Sequence, residues 1–97
     1  MTPEQVQDYL KRSGDKQIYN INLIENEHGF LTWTVFEDMV YCLQAYGDGR
    51  HWDNVLINLA KELGLPKVAF STKRKPKSYE RKYGYKVTGY ILEKEVI

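Results

Sequence analysis

Residues 39–72 read MVYCLQAYGDGRHWDNVLINLAKELGLPKVAFST, and their layout decides the fold. Met39 to Tyr46 is a run rich in β-formers, and Gly47-Asp48-Gly49 breaks it. Trp52, Val55, Leu56, Leu59, Ala60 and Leu63 then recur at i, i+3, i+4, i+7, i+8 and i+11. That spacing lays one apolar stripe along a helix over residues 50–63, ended by Gly64 and Pro66. Val68-Ala69-Phe70-Ser71-Thr72 follows as a short, mostly apolar strand. Strand, helix and strand in this order form a crossover, which makes the two strands parallel.

Upstream, residues 30–36 set Leu31, Trp33 and Val35 on one face and Thr32 and Thr34 on the other, the period of a strand. Glu37-Asp38 reads as a tight turn into the next strand, or else the strand runs on to Val40. In residues 17–24, Tyr19, Ile21 and Leu23 alternate with Asn20 and Asn22, which predicts a strand with one wet face. At the start, Thr2 is an N-cap, Pro3 suits the first helical position and Gln5 completes a capping box. Val6, Tyr9 and Leu10 give that helix its apolar side, and Ser13-Gly14 stops it. Downstream, residues 76–83 read as a short basic helix ending at Gly84, and residues 85–97 as a strand with Gly89 as a bulge. The order α-β-β-β-α-β-α-β predicts an α+β, layered fold: a mixed, mostly antiparallel sheet with flanking helices.

Ninety-seven residues predict one domain spanning 1–97. With 42% hydrophobic residues, 28% charged, seven glycines and three prolines, the chain is neither disordered nor of low complexity. No apolar run approaches the ~18 residues of a membrane span, and the first residues lack a signal-peptide layout, so a cytoplasmic protein without membrane contact is expected. A single cysteine, Cys42, excludes an internal disulfide and reads as a small buried hydrophobe. Neither His28 nor His51 has a second ligand at metal spacing, so no metal is expected.

Charge is divided unevenly. Residues 1–66 hold five Lys and Arg against ten Asp and Glu, while residues 67–97 hold nine against three. The basic end is either a solvated face or a surface for an anionic partner. Tyr79, Tyr83, Tyr85 and Tyr90 within it could stack on bases, but the net charge of +1 and the lack of a nucleic-acid motif speak against specific nucleic-acid binding.

Glycines between a strand and a helix let backbone amides converge where the helix dipole adds, an arrangement suited to a pyrophosphate; the alternative is an ordinary connecting turn. No Gly-Lys-Ser/Thr and no third glycine follows, which excludes an ATP-type phosphate loop and a dinucleotide fingerprint.

Gln44-x-x-Gly47-x-Gly49 resembles the acyl-CoA loop [Gln/Arg]-x-x-Gly-x-[Gly/Ala] of the GNAT superfamily of N-acetyltransferases. The helix ending Leu59-Ala60-Lys61-Glu62-Leu63-Gly64 is similar to the one after that loop. The strand at 68–72, the stretch Tyr79-Glu80-Arg81-Lys82-Tyr83-Gly84-Tyr85-Lys86 and the strand from Gly89 to Val96 are similar to the family's later elements. Lys73-Arg74 and the Glu93-Lys94-Glu95-Val96 ending resemble short phage-encoded members. The family's first strand and one N-terminal helix have no counterpart, so the resemblance implies a truncated GNAT-like fold.

It also implies transfer of an acetyl group from acetyl-CoA, the co-substrate, to an amine acceptor. Gln44, Tyr46, Gly47, Asp48, Gly49, Arg50 and His51 would then hold the cofactor, with Lys73–Lys75 and Arg81 near the 3′-phosphate. A lysine-like amine of pKa about 10.4 is almost wholly protonated at neutral pH, so the reaction calls for a base. Glu37, beside Asp38, is the candidate in the strands before the loop. The family's proton-donor tyrosine slot, four residues before Gly84, holds Glu80; Tyr79, one residue earlier, is the candidate donor, with Tyr83 as a further one. The alternative is a GNAT-like binding or assembly module without catalysis, a homodimer in which a partner chain covers the sheet edge left by the missing strand.

Overall fold

The computed structural model describes residues 1–71, 84–88 and 91–96. Helix α1 (Pro3–Ser13) begins as its sequence dictates: the Thr2 side chain accepts from the Gln5 amide and the Gln5 side chain accepts from the Thr2 amide. Gly14 closes it in the left-handed conformation that glycine adopts without steric cost. Strands β1 (Ile24–Asn26), β2 (Gly29–Phe36) and β3 (Met39–Gly47) form an antiparallel meander. Helix α2 (Gly49–Leu63) crosses over to β4 (Lys67–Ser71), which pairs parallel with β3. Strands β5 (Lys86–Thr88) and β6 (Ile91–Glu95) pair antiparallel, and the six-stranded sheet runs β1-β2-β3-β4-β6-β5. The domain is thus α+β with a mixed sheet.

The turn between β2 and β3 is two residues long, with Glu37 at a φ of 54°. Two expectations change. Residues 17–23 are not a strand: the backbone bonds that a ladder would satisfy go instead to a side chain, with the Tyr19 amide donating to Gln44 Oε1 and the Gln17 carbonyl accepting from Gln44 Nε2. Asn22, at a φ of 49°, leaves the extended region altogether. The C-terminal tail is two strands rather than one bulged strand, because Thr88 pairs antiparallel with Ile91. The expected basic helix at 76–83 lies outside the described residues.

One face of the sheet carries α2. Trp52, Leu56 and Ala60 are buried against Leu31, Val40, Cys42, Val68 and Tyr85. Leu63, read as part of the same stripe, is 49% exposed. The helix ends there, Gly64 reverses the chain, and Leu65 is the residue that packs back on the core, its amide bonded to the Ala60 carbonyl. Asp53 ties α2 to the C-terminal hairpin, accepting from the Tyr85 hydroxyl at 2.7 Å and from Lys94 Nζ at 2.8 Å. Successive strand residues face opposite ways, so Phe30 lies on the other face, where Tyr9 of α1 meets it edge-on at 5.2 Å. The sheet therefore lies between α1 and α2.

Candidate functional site

β3 and β4 pair from Met39↔Lys67 to Cys42↔Phe70, after which β3 continues to Gly47 without a β4 partner. A bulge in the β2–β3 register falls at the same place: Thr32 opposes Gln44 while Trp33 opposes Cys42. Residues 43–47 of β3 therefore have no β4 partner among the described residues, and α2 starts just beyond them.

The candidate cofactor residues divide by role. Gln44 is 2% exposed and spends its amide on the N-terminal segment. Its Nε2 donates to Asp15 Oδ2 at 3.1 Å and to the Gln17 carbonyl at 2.9 Å, while its Oε1 accepts from the Tyr19 amide and the Thr32 hydroxyl. Asp15 also accepts from the Tyr9 hydroxyl at 2.7 Å, and desolvation with that bond raises the Tyr9 pKa. Tyr46 stacks on Phe30 with 5.6 Å between ring centres and donates its hydroxyl to Asp8. That bond raises the Tyr46 pKa and lowers that of Asp8. Both residues hold α1 and the segment after it to the sheet.

Gly47 has a φ of +104° and lies opposite Gly29, whose φ is +123°. A Cβ on Gly47 would overlap the His28 carbonyl, so close strand approach already accounts for this glycine. Asp48 alone separates β3 from α2. Its carboxylate accepts from the Arg50 amide at 3.1 Å and the His51 amide at 3.2 Å, capping the helix. The His51 amide does most to hold the Asp48 carboxyl below its ordinary 3.8, partial desolvation opposes it, and the Arg50 amide and nearby imidazoles add to the lowering. Gly49 and Arg50 form the exposed first turn of α2.

His51 stacks on His28 with 3.9 Å between ring centres and an interplanar angle of 16°. His28 Nδ1 lies 3.6 Å from Asp48, its Nε2 3.6 Å from Glu27, and the Asn26 amide reaches His51 Nε2 at 3.3 Å. This latch between the β1–β2 turn and α2 was not legible in the sequence, because no local spacing links positions 28 and 51.

Of the candidate catalytic residues, Glu37 is not brought to this end. Glu37 is exposed at the opposite end of the nine-residue β3, roughly 26 Å from Gly47 at 3.3 Å per residue. Its neighbour Asp38 pairs with Lys67 at 3.8 Å. Tyr79, Tyr83, Lys73–Lys75 and Arg81 lie outside the described residues. Cys42 is buried, and desolvation pushes its thiol up to about 12, which leaves it un-ionised and inert at neutral pH. Among the described residues no group of three His, Cys, Asp or Glu is placed to hold a metal ion, and no helix is long and apolar enough to cross a membrane. Compared with family models, curated proteins and solved structures, the chain finds no match.

Proposed function

We propose that the chain is a reduced domain of the GNAT type that takes acetyl-CoA along residues 43–47 of β3 and passes the acetyl group to an amine. The observation that carries this reading is the sheet: one parallel pair, β3 and β4, joined through α2, with β6 returning between β4 and β5. The Gln44-x-x-Gly47-x-Gly49 resemblance implies a loop that leads into a helix and then into a parallel strand, and here residues 44–49 lead from β3 into α2 and on to the parallel β4. An extended thioester would lie along residues 43–47, where β3 offers backbone groups that β4 does not use. In the reaction an amine lone pair forms the new C–N bond, the C–S bond breaks, and the CoA sulfur leaves as a thiol. Tyr79 remains the sequence-based candidate for the proton donor; Glu37, at the far end of β3, is out of reach of a thioester at residues 43–47, so the base is left unassigned.

One observation favours a second reading, the same scaffold as a binding or assembly module without transfer. The ionised Asp48 carboxylate already occupies the Arg50 and His51 amides that a pyrophosphate would use. Two anions compete for one pair of donors, so acetyl-CoA must turn Asp48 aside in order to bind. Titrating the labelled protein with acetyl-CoA while following backbone amide resonances separates the two readings. Transfer predicts shifts at Leu43, Phe70, Ser71, Arg50 and His51; the module predicts none of them at millimolar ligand.

A further inference from the structure

β2 is eight residues long but β1 covers only its first three, Gly29, Phe30 and Leu31. From Thr32 to Phe36 the outer edge of β2 faces no strand among the described residues. Alternation settles which backbone groups point outward. Thr34 and Phe36 pair inward with Tyr41 and Met39 across the two-residue turn, and Trp33 turns its carbonyl out, where Asn22 Nδ2 caps it at 3.0 Å. Val35, two residues on, turns its N–H and C=O the same way, and no described group meets them.

Sheet edges of this kind are ordinarily blunted by charge or proline, yet Thr32-Trp33-Thr34-Val35-Phe36 contains neither. Apolar exposure is concentrated there as well. Val35 is 49% exposed, Phe36 52%, and Ile21, next to the capping Asn22, 45%. On the face that carries Phe36 lies an apolar cleft of about 300 Å³ lined by Thr34, Phe36, Tyr41 and Leu43.

We propose that a second copy of the chain pairs with this edge, antiparallel about a two-fold axis through Val35. The edge fits itself. A strand paired antiparallel with its own copy keeps both sheets facing the same way, so Phe36 of each copy falls opposite Thr34 of the other, at the lip of its cleft. Val35 supplies one donor and one acceptor, which is what a two-fold pair exchanges at its axis. The carboxylates at the turn do not oppose this. Glu37 stands two residues from the axis in each copy, which keeps the two about 13 Å apart at ~3.3 Å per residue, beyond the Debye length of about 8–10 Å at physiological salt. In this register Thr34, Val35 and Phe36 of the open edge face one another, with Ile21 beside them, so the interface is small and the dimer dissociates on dilution. This dimer depends on neither reading of the acyl-CoA site.

Sedimentation equilibrium and light scattering from micromolar to millimolar protein test it. The mass is expected to climb from the monomer's 11.4 kDa towards twice that value, and the Val35 amide to exchange more slowly as the concentration rises. Val35→Pro removes a donor that β3 does not use, so it should leave the thermal midpoint near wild type and keep the chain monomeric. Phe36→Lys, at an exposed position, should do the same and serves if the proline variant fails to fold. A wild-type mass fixed at 11.4 kDa up to millimolar protein overturns the proposal and leaves the edge to a strand of another chain. Equal dimerisation of the folded Val35→Pro protein overturns it too.

Discussion

Gly29 and Gly47 face each other across the β2–β3 ladder so closely that a Cβ on Gly47 would overlap the His28 carbonyl and one on Gly29 the Tyr46 carbonyl. Both also hold positive φ angles, +123° and +104°, that side chains rarely adopt. Alanine at either position is therefore expected to cost at least about 2–3 kcal/mol, a large share of the ~5–15 kcal/mol a domain holds. Gly64→Ala is the control. Its φ of +70° is also positive, but nothing lies within 4 Å of the added carbon, so a loss of only about 1–2 kcal/mol is expected. Chemical denaturation of the three variants checks the order.

Gln44 ties the segment after α1 to the sheet through its side-chain amide. Gln44→Leu keeps the volume but strips the Tyr19 amide and the Gln17 carbonyl of their partner. Each buried group left unpaired costs about 1–3 kcal/mol, less where water reaches it. Hydrogen exchange at Tyr19 should accelerate more than exchange in α2. Equal protection of Tyr19 in the variant and the wild type would show that the segment is held by something else.

These two positions also explain what the sequence did and did not reveal. The capping box of α1, the stripe of α2 as far as Ala60 and its glycine stop are local patterns, and the structure follows them. The alternation in residues 17–23 is local too, but it loses to Gln44, a single side chain more than twenty positions away whose burial no nearby residue signals. Glycine at 47 was readable as necessary. Its reason was not, since the clashing partner is His28 in the β1–β2 turn, nineteen positions away in the chain. The strand–helix–strand crossover was legible because Trp52, Leu56 and Ala60 mark its buried face, whereas the open edge at Val35 depends on where β1 ends, a matter of tertiary pairing.

Acid stability follows from two carboxyls. The Tyr46 hydroxyl, with Arg12 adding, holds Asp8 below its ordinary 3.8, and the His51 amide does the same for Asp48. A carboxyl whose pKa is lower in the folded state contributes stability above its unfolded pKa, and that contribution is lost as pH falls through the folded value. Unfolding midpoints should therefore fall below about pH 4 in the wild type, and more gently in Asp8→Asn and Asp48→Asn. Identical acid limbs in all three proteins would contradict the assignment.

Cys42 provides a probe of the core from the alkaline side. With the thiol pushed up to about 12 by burial, the folded protein should resist iodoacetamide at mildly alkaline pH and react at once in denaturant. Its raised pKa also means that stability is present below the ordinary 9.0 and declines as pH climbs from there towards 12. Rapid labelling under native conditions would mean that β3 opens locally far more often than its burial implies.

The most direct test of the acetyl-CoA reading is the melting temperature with and without that ligand, in the wild type and in Asp48→Asn. Asparagine caps a helix about as well as aspartate but brings no negative charge to the Arg50 and His51 amides. A native-specific ligand at ten times its dissociation constant adds about 1.4 kcal/mol, which raises the melting temperature of a domain this size by roughly 6–11 °C. A rise is expected in the wild type, and a larger one in Asp48→Asn at the same acetyl-CoA concentration. No rise in either protein at millimolar acetyl-CoA would contradict it.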